Sequence, residues 1–180
     1  MAAPVSIEKS TIDRAELGEL AVRMFEPADV PLIEAMSADL SARSLAQRFF
    51  VGTPYIPRAM LRQLGQVDHV AQEAVIAQVG ARVVGLAQYV RSRTATDRAE
   101  FAVMVADRWQ FAGIGRRLVG LLAQLAVGRG ITQFEANVLV ENLPARRMVA
   151  AHWPAVVPAQ DEDSLHYLLP LREVLAAAVA

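Results

Sequence analysis

Glu100-Phe101-Ala102-Val103-Met104-Val105-Ala106-Asp107-Arg108-Trp109-Gln110-Phe111-Ala112-Gly113-Ile114-Gly115-Arg116-Arg117 is the stretch that organises this chain. A strand-like apolar run over 99–105 enters a turn with two glycines, and the turn opens onto a helix predicted over 113–128. Within that helix Ile114, Leu118, Leu121, Leu122 and Leu125 recur at i, i+4, i+7, i+8 and i+11, which is one face of an α-helix. The physical use of such a turn is anion binding. N–H groups in the first turn of a helix have no intrahelical acceptor, and the helix dipole adds partial positive charge there. Gly113 and Gly115 let a phosphate approach the backbone with no Cβ in the way. Arg116 and Arg117 place cationic side chains at the same end.

On the N-terminal side, residues 20–25 (Leu-Ala-Val-Arg-Met-Phe) read as a strand stopped by Glu26-Pro27. Asp29 is expected to cap a helix through residue 40, with Val30, Ile33 and Met36 as its apolar positions. A second helix is expected over 44–50. The turn Gly52-Thr53-Pro54 and then Pro57 lead into a third, over 58–64. Strands follow at 74–79 and 83–90, joined by a hairpin turn at Gly80-Ala81, and the polar stretch 91–98 separates them from the strand at 99–105. After the glycine turn come the helix ended by Gly128-Arg129-Gly130, a strand at 131–138, a helix at 142–151 and a last strand at 165–169. An antiparallel series followed by strand–helix–strand predicts one α/β (α+β) domain. Its central sheet is mixed and mostly antiparallel, with helices on both faces.

The chain's 180 residues fit one domain with a substantial core, and 54% of them are hydrophobic. A formal net charge of -1 with 21% charged residues argues against nucleic-acid or anionic-membrane binding. There are no cysteines, so disulfides, thiolate metal sites and a cysteine nucleophile are excluded. Residues 1–18 are polar and irregular and are expected to be a mobile leader or a loosely docked helix, with the domain over 19–180. Residues 1–10 lack a signal-peptide core, no apolar stretch is long enough to span a bilayer, and a cytoplasmic protein is the expectation. Residues 174–180 are apolar but short, the end of a packed helix or a frayed tail. The three histidines, His69, His152 and His166, form no ligand cluster in sequence, and no metal is expected.

The glycines alone leave the ligand open. A phosphate loop of the Walker type needs Gly-Lys-Ser/Thr, which is absent. A dinucleotide fingerprint needs a third glycine where Leu118 stands, although Glu135 lies about 20 residues downstream, where a ribose-binding acid is expected. A plain tight turn fits the two glycines as well as a binding loop does.

Gln110-x-x-Gly113-x-Gly115 resembles the signature of the GNAT superfamily of N-acetyltransferases, in which the loop cradles the pyrophosphate of coenzyme A. Val140-Glu141-Asn142-Leu143-Pro144-Ala145-Arg146-Arg147-Met148 is similar to a second segment of that superfamily, one helix and one strand downstream. The resemblance covers residues 20–169. Arg48-Phe49-Phe50, Leu64-Gly65-Gln66-Val67-Asp68-His69 and the strand 99–107 further resemble the catalytic domain of bacterial protein lysine acetyltransferases. The resemblance implies acetyl-CoA as co-substrate and an amine acceptor, either a protein lysine or a small molecule. It implies that Glu100 is the general base and that Val103 and Val105 offer main-chain contacts to the acyl and pantetheine portions. Gln110, Phe111, Ala112, Gly113, Ile114, Gly115 and Arg116 would hold the pyrophosphate, and Asn142 would contact the pantetheine.

The chemistry is consistent with a base at Glu100. Aminolysis of a thioester needs a neutral amine, and a lysine with pKa near ~10.4 is neutral in about one molecule in a few thousand at pH 7. The other reading of Glu100 is an edge-strand residue paired with Arg98 or Arg93. The chain departs from the superfamily pattern at three places. Phe111 and Ala112 stand where many members carry glycine and a basic residue, which lowers the positive charge over the phosphates. Val149 stands where many carry a tyrosine general acid, and Tyr55 and Tyr167 are remote from it in sequence. Ala151-His152-Trp153 replaces an Ala-Gly-aromatic helix end, leaving Pro154 to terminate the helix. The other readings kept open are a catalytically weak CoA-binding sensor and a nicotinamide-dependent oxidoreductase. A homodimer through an exposed sheet edge is the expectation for assembly.

Overall fold

The computed structural model describes residues 18–174. Strand β1 (Leu20–Met24) leads through a 3₁₀ turn (Pro27–Asp29) to α1 (Val30–Ala35), a second 3₁₀ turn (Met36–Asp39), α2 (Ala42–Phe49) and α3 (Arg58–Leu64). Then come β2 (Gln72–Val79), β3 (Arg82–Arg91), β4 (Arg98–Val105), a 3₁₀ turn (Asp107–Trp109), α4 (Ile114–Gly128), β5 (Gln133–Leu139), α5 (Leu143–His152), β6 (Ala159–Asp161) and β7 (Ser164–Pro170). The strands form one seven-stranded sheet in the order β1-β2-β3-β4-β5-β7-β6. Every adjacent pair is antiparallel except β4 and β5, which run parallel. A parallel pair needs a crossover element, and α4 is that element.

The expected α/β (α+β) domain with a mixed sheet is what the chain forms. Helix α4 lies across β1–β4 on one face; on the other, α1 contacts β3 and α2 contacts β4, with α3 packed on α1. Gly85 on β3 lets α4 lie close: a Cβ there would come within 3.0 Å of Leu118 Cδ1 and 3.4 Å of Ile114 Cγ2. Alternation along β4 then assigns its side chains. Phe101 is buried toward α4 and stacks on Phe134 at 5.0 Å, so Glu100 and Met104 face the α1–α3 side.

Some boundaries moved. The single helix expected over 29–40 is a short helix between two 3₁₀ turns, and Asp29 does not cap it. Its carboxylate accepts two hydrogen bonds from Arg23 at 2.7 Å and one from the Glu26 N–H at 2.8 Å. The Arg23 hydrogen bonds hold the Asp29 carboxyl below its usual value. Helix α2 starts earlier than expected because Ser41 caps it, accepting from the Ser44 N–H at 3.2 Å. Strand β5 begins at Gln133 rather than 131, since Ile131 packs into the core on the turn before it. Strand β6 was not expected: its three residues are all exposed and carry no alternating pattern. The leader expected over 1–18 and the apolar tail over 174–180 lie outside the described residues, apart from Gly18 and Val174. Among the described residues no helix is long and apolar enough to cross a membrane.

A buried charge cluster ties β2 to the end of α4. Glu73 is 0% exposed. Its carboxylate lies 2.8 Å from Arg129 Nη2 and 2.8 Å from His69 Nδ1, and Arg129 also donates to the Tyr89 hydroxyl at 3.3 Å. Burial raises the Tyr89 phenol above its usual value, with Arg129 acting against that. Removing one partner of such a pair strands a charge in the interior, at a cost of about 3 kcal/mol. Arg129→Met is therefore expected to lower Tm by on the order of 10 °C. The double change Glu73→Gln with Arg129→Met should lose less than the single one, and a thermal melt of both variants checks it.

Candidate active site

Strands β4 and β5 pair for only three residues, Arg98–Gln133, Ala99–Phe134 and Glu100–Glu135, and then part. Beyond Glu100, β4 has no ladder partner on its β5 side. The parting opens a cleft of about 760 Å³ between β4, β5, α2 and α5. Glu100 sits where the strands separate, at the closed end, and is exposed to the cleft. Glu100 is not the edge-strand residue of the other reading. Strand β4 is interior, and Arg98 reaches Glu135 at 3.3 Å instead.

At the open end lies the glycine loop. The first intrahelical hydrogen bond of α4 runs from Arg117 N–H to the Gly113 carbonyl, 3.2 Å. Among the described residues, the N–H groups of residues 111–116 have no acceptor. A row of unpaired N–H groups at a helix start is a concave anion site. Gly113 sits in the left-handed region, φ 80°, with open space where a Cβ would be. Phe111 is left-handed too, φ 65°, and is 77% exposed at the rim of the cleft. A bulky residue there bears about 1–2 kcal/mol of strain.

The loop's shape is fixed from inside. The Gln110 side chain turns inward and its amide donates to the Val105 carbonyl at 3.1 Å and to Asp107 Oδ1 at 3.2 Å. Asp107 in turn accepts from the Ser44 hydroxyl at 2.7 Å and from the Ser41 N–H at 3.2 Å, tying the start of α2 to the loop. Sequence reasoning missed Asp107, Ser41 and Ser44 in this role. A contact spanning 63 residues leaves no local signal in the sequence.

The other site residues sort by what they present. Val103, Val105, Gly115 and Arg116 line the cleft, as does Asn142 at the start of α5. Asn142 Oδ1 accepts from the Ala145 N–H at 3.2 Å, so its N–H₂ group is the part left for a ligand. Ile114 is buried against the sheet and Ala112 packs against the core, so both offer only backbone. Arg116 and Arg117 do not act together: Arg117 reaches the Leu20 carbonyl at 3.5 Å, away from the cleft. A cation that the sequence reading did not single out, Arg147 on α5, lines the cleft instead. Arg48 on α2 lines it near Glu100, its guanidinium 5.0 Å from the Phe49 ring centre. Desolvation pulls Arg48 below its usual pKa, and the Glu100 charge acts in the opposite sense. Among the described residues there is no cluster of three or more His, Asp or Glu side chains able to hold a metal.

The sheet parts between two parallel strands, with a helix start carrying unpaired N–H groups at the mouth of the cleft and a carboxylate at its closed end. The chain belongs to the acetyltransferase (GNAT) family, which its residues 40–152 match. It is 32% identical over 126 residues to "Acetyltransferase Pat" of Mycolicibacterium smegmatis, a match covering 68% of this chain and 37% of that protein. The chain thus spans little more than a third of that relative's length. The GNAT domain of S. lividans PAT shares the fold at TM-score 0.74, with 22% identity, covering 83% of this chain and 89% of the other. Spermidine N-acetyltransferase from Vibrio cholerae, solved in complex with CoA and spermine, superposes at TM-score 0.66 with 18% identity, covering 88% and 99%.

Proposed function

We infer that this chain is an N-acetyltransferase that moves the acetyl group of acetyl-CoA to an amine. The observation that carries this is the joint placement of the unpaired N–H groups of residues 111–116 and of Glu100 at opposite ends of one cleft. The loop N–H groups and Arg116 hold the pyrophosphate. The Asn142 N–H₂ group and the unpaired side of β4 at Val103 and Val105 hold the pantetheine arm. Gln110 shapes the loop through its inward amide. Glu100 removes the proton from the attacking amine, and backbone N–H groups on the free side of β4 stabilise the developing oxyanion.

The acceptor we favour is a lysine side chain on a protein. The likeness to the Pat acetyltransferase supports this, as does an open cleft lined in part by the exposed Phe50. A small polyamine is the second reading, on the likeness in fold to the spermidine enzyme. The lack of a basic residue at Phe111-Ala112 favours a third, a weak catalyst that senses CoA. Thiol release from acetyl-CoA, measured over lysine peptides, intact proteins and polyamines, separates them. Turnover on proteins and peptides with none on polyamines is expected. Turnover on polyamines alone would reverse the choice of acceptor, and binding without turnover on any amine would leave the sensor.

A further inference from the structure

Among the described residues the cleft is lined by one carboxylate, that of Glu100, and by the guanidinium groups of Arg48, Arg116 and Arg147. Arg116 stands in the first turn of α4, beside the loop N–H groups, and Arg147 stands on α5. Arg48 belongs to a different part of the cleft. It lies in the last turn of α2, the helix that contacts β4, and β4 carries Glu100. The Glu100 charge acts on it, which places the guanidinium toward the closed end rather than beside the glycine loop.

Arg48 has donors and no acceptor. Among the described residues no oxygen accepts from its guanidinium, and no carboxylate lies within ion-pair distance of it, Glu100 included. The contact it makes is with the Phe49 ring, 5.0 Å from the guanidinium carbon. The amide nitrogen of Gln47, one residue earlier, is sealed from solvent without a partner, whereas no nitrogen of Arg48 is sealed off. A cation in the last turn of a helix is favourable in itself, but a guanidinium in open water serves that purpose as well. Held in the cleft wall, Arg48 is partly stripped of water, a cost that an acceptor brought by a ligand offsets. Its planar fork matches a carboxylate through two parallel hydrogen bonds.

We propose that Arg48 selects the acceptor: a lysine with aspartate or glutamate beside it in the peptide. This rests on the reading of the chain as a lysine acetyltransferase. The amine approaches Glu100 while the neighbouring carboxylate takes the Arg48 fork. One carboxylate and one guanidinium of the protein thus face one amine and one carboxylate of the substrate. Arg48 and Glu100 are not bonded to each other, so neither has to be released before the acceptor docks. Phe50, exposed and two residues further along, gives the peptide an apolar surface at the same helix end. The cation also opposes a polyamine, whose second ammonium would meet it where a carboxylate belongs.

The test uses peptides with a single lysine, identical except that Glu, Gln or Arg flanks it on both sides. Thiol release at saturating acetyl-CoA gives kcat/KM on each for the unaltered chain, Arg48→Gln and Arg48→Glu, and calorimetry gives acetyl-CoA affinity. The unaltered chain is expected to favour the Glu-flanked peptide over the Gln-flanked one by about 10-fold, the worth of one hydrogen bond to a charged group. Arg48→Gln should bring that ratio near one, and Arg48→Glu should reverse it in favour of the Arg-flanked peptide, with acetyl-CoA affinity kept. Equal rates on the three peptides in the unaltered chain, or the same ratios in all three proteins, overturn the proposal and leave the lysine reading standing. A loss of acetyl-CoA affinity in Arg48→Gln assigns the guanidinium to the cofactor and overturns it as well. No transfer to any of the peptides overturns the lysine reading itself, and the proposal with it.

Discussion

Gly113→Asp is expected to lower acetyl-CoA affinity by at least about 100-fold, ~2.7 kcal/mol, while leaving the protein folded. The new side chain meets open space, since nothing lies within 4 Å of a Cβ at that position. A left-handed φ of 80° costs aspartate less than most residues. Its carboxylate would also cap α4 by accepting from the N–H groups just beyond it, offsetting part of that strain. The same capping puts a negative charge where the pyrophosphate belongs, so ligand affinity and helix stability move in opposite directions. Gly113→Ala brings the strain without the charge and should weaken binding far less. Calorimetry with acetyl-CoA on both variants, beside thermal melts, checks this. Near-native affinity in Gly113→Asp would mean the phosphate lies elsewhere.

Glu100→Gln is expected to reduce turnover at pH 7 by about 10²–10⁴-fold with little change in acetyl-CoA affinity. Glutamine keeps the size and the hydrogen-bonding oxygen and removes only the ability to take a proton. Raising the pH supplies more neutral amine from solution, so the deficit should narrow as pH climbs toward the amine's pKa of ~10.4. That narrowing separates a base from a residue that only shapes the cleft, whose loss would be the same at every pH. A pH-rate profile of the variant against the unaltered protein, at saturating acetyl-CoA, is the measurement. Unchanged turnover would return Glu100 to a structural role.

Features governed by neighbouring residues were legible in the sequence. The run 99–105, the glycine turn and the five spaced apolar residues of α4 each obey a local period, and all three stand where expected. That Glu100 and the loop would share a cleft was legible too, through the resemblance of the segments around them. What escaped depends on direction or distance. Arg116 and Arg117 are adjacent, but successive helical residues point about 100° apart, and only Arg116 faces the cleft. Gln110 lines the cleft, as its place in the motif implies, but that its amide N–H₂ also donates to Val105 and Asp107 was not legible. Asp29 looked like a helix cap until Arg23, six residues earlier on the edge strand, took its carboxylate.

The central claim is that the cleft between β4 and β5 is shaped for the pyrophosphate and arm of acetyl-CoA rather than for a dinucleotide. Titrating the protein with acetyl-CoA and with NADH in parallel, by calorimetry, tests it most directly. One-to-one, saturable binding of acetyl-CoA with no heat from NADH is the predicted result. Saturable binding of NADH with none of acetyl-CoA would contradict it.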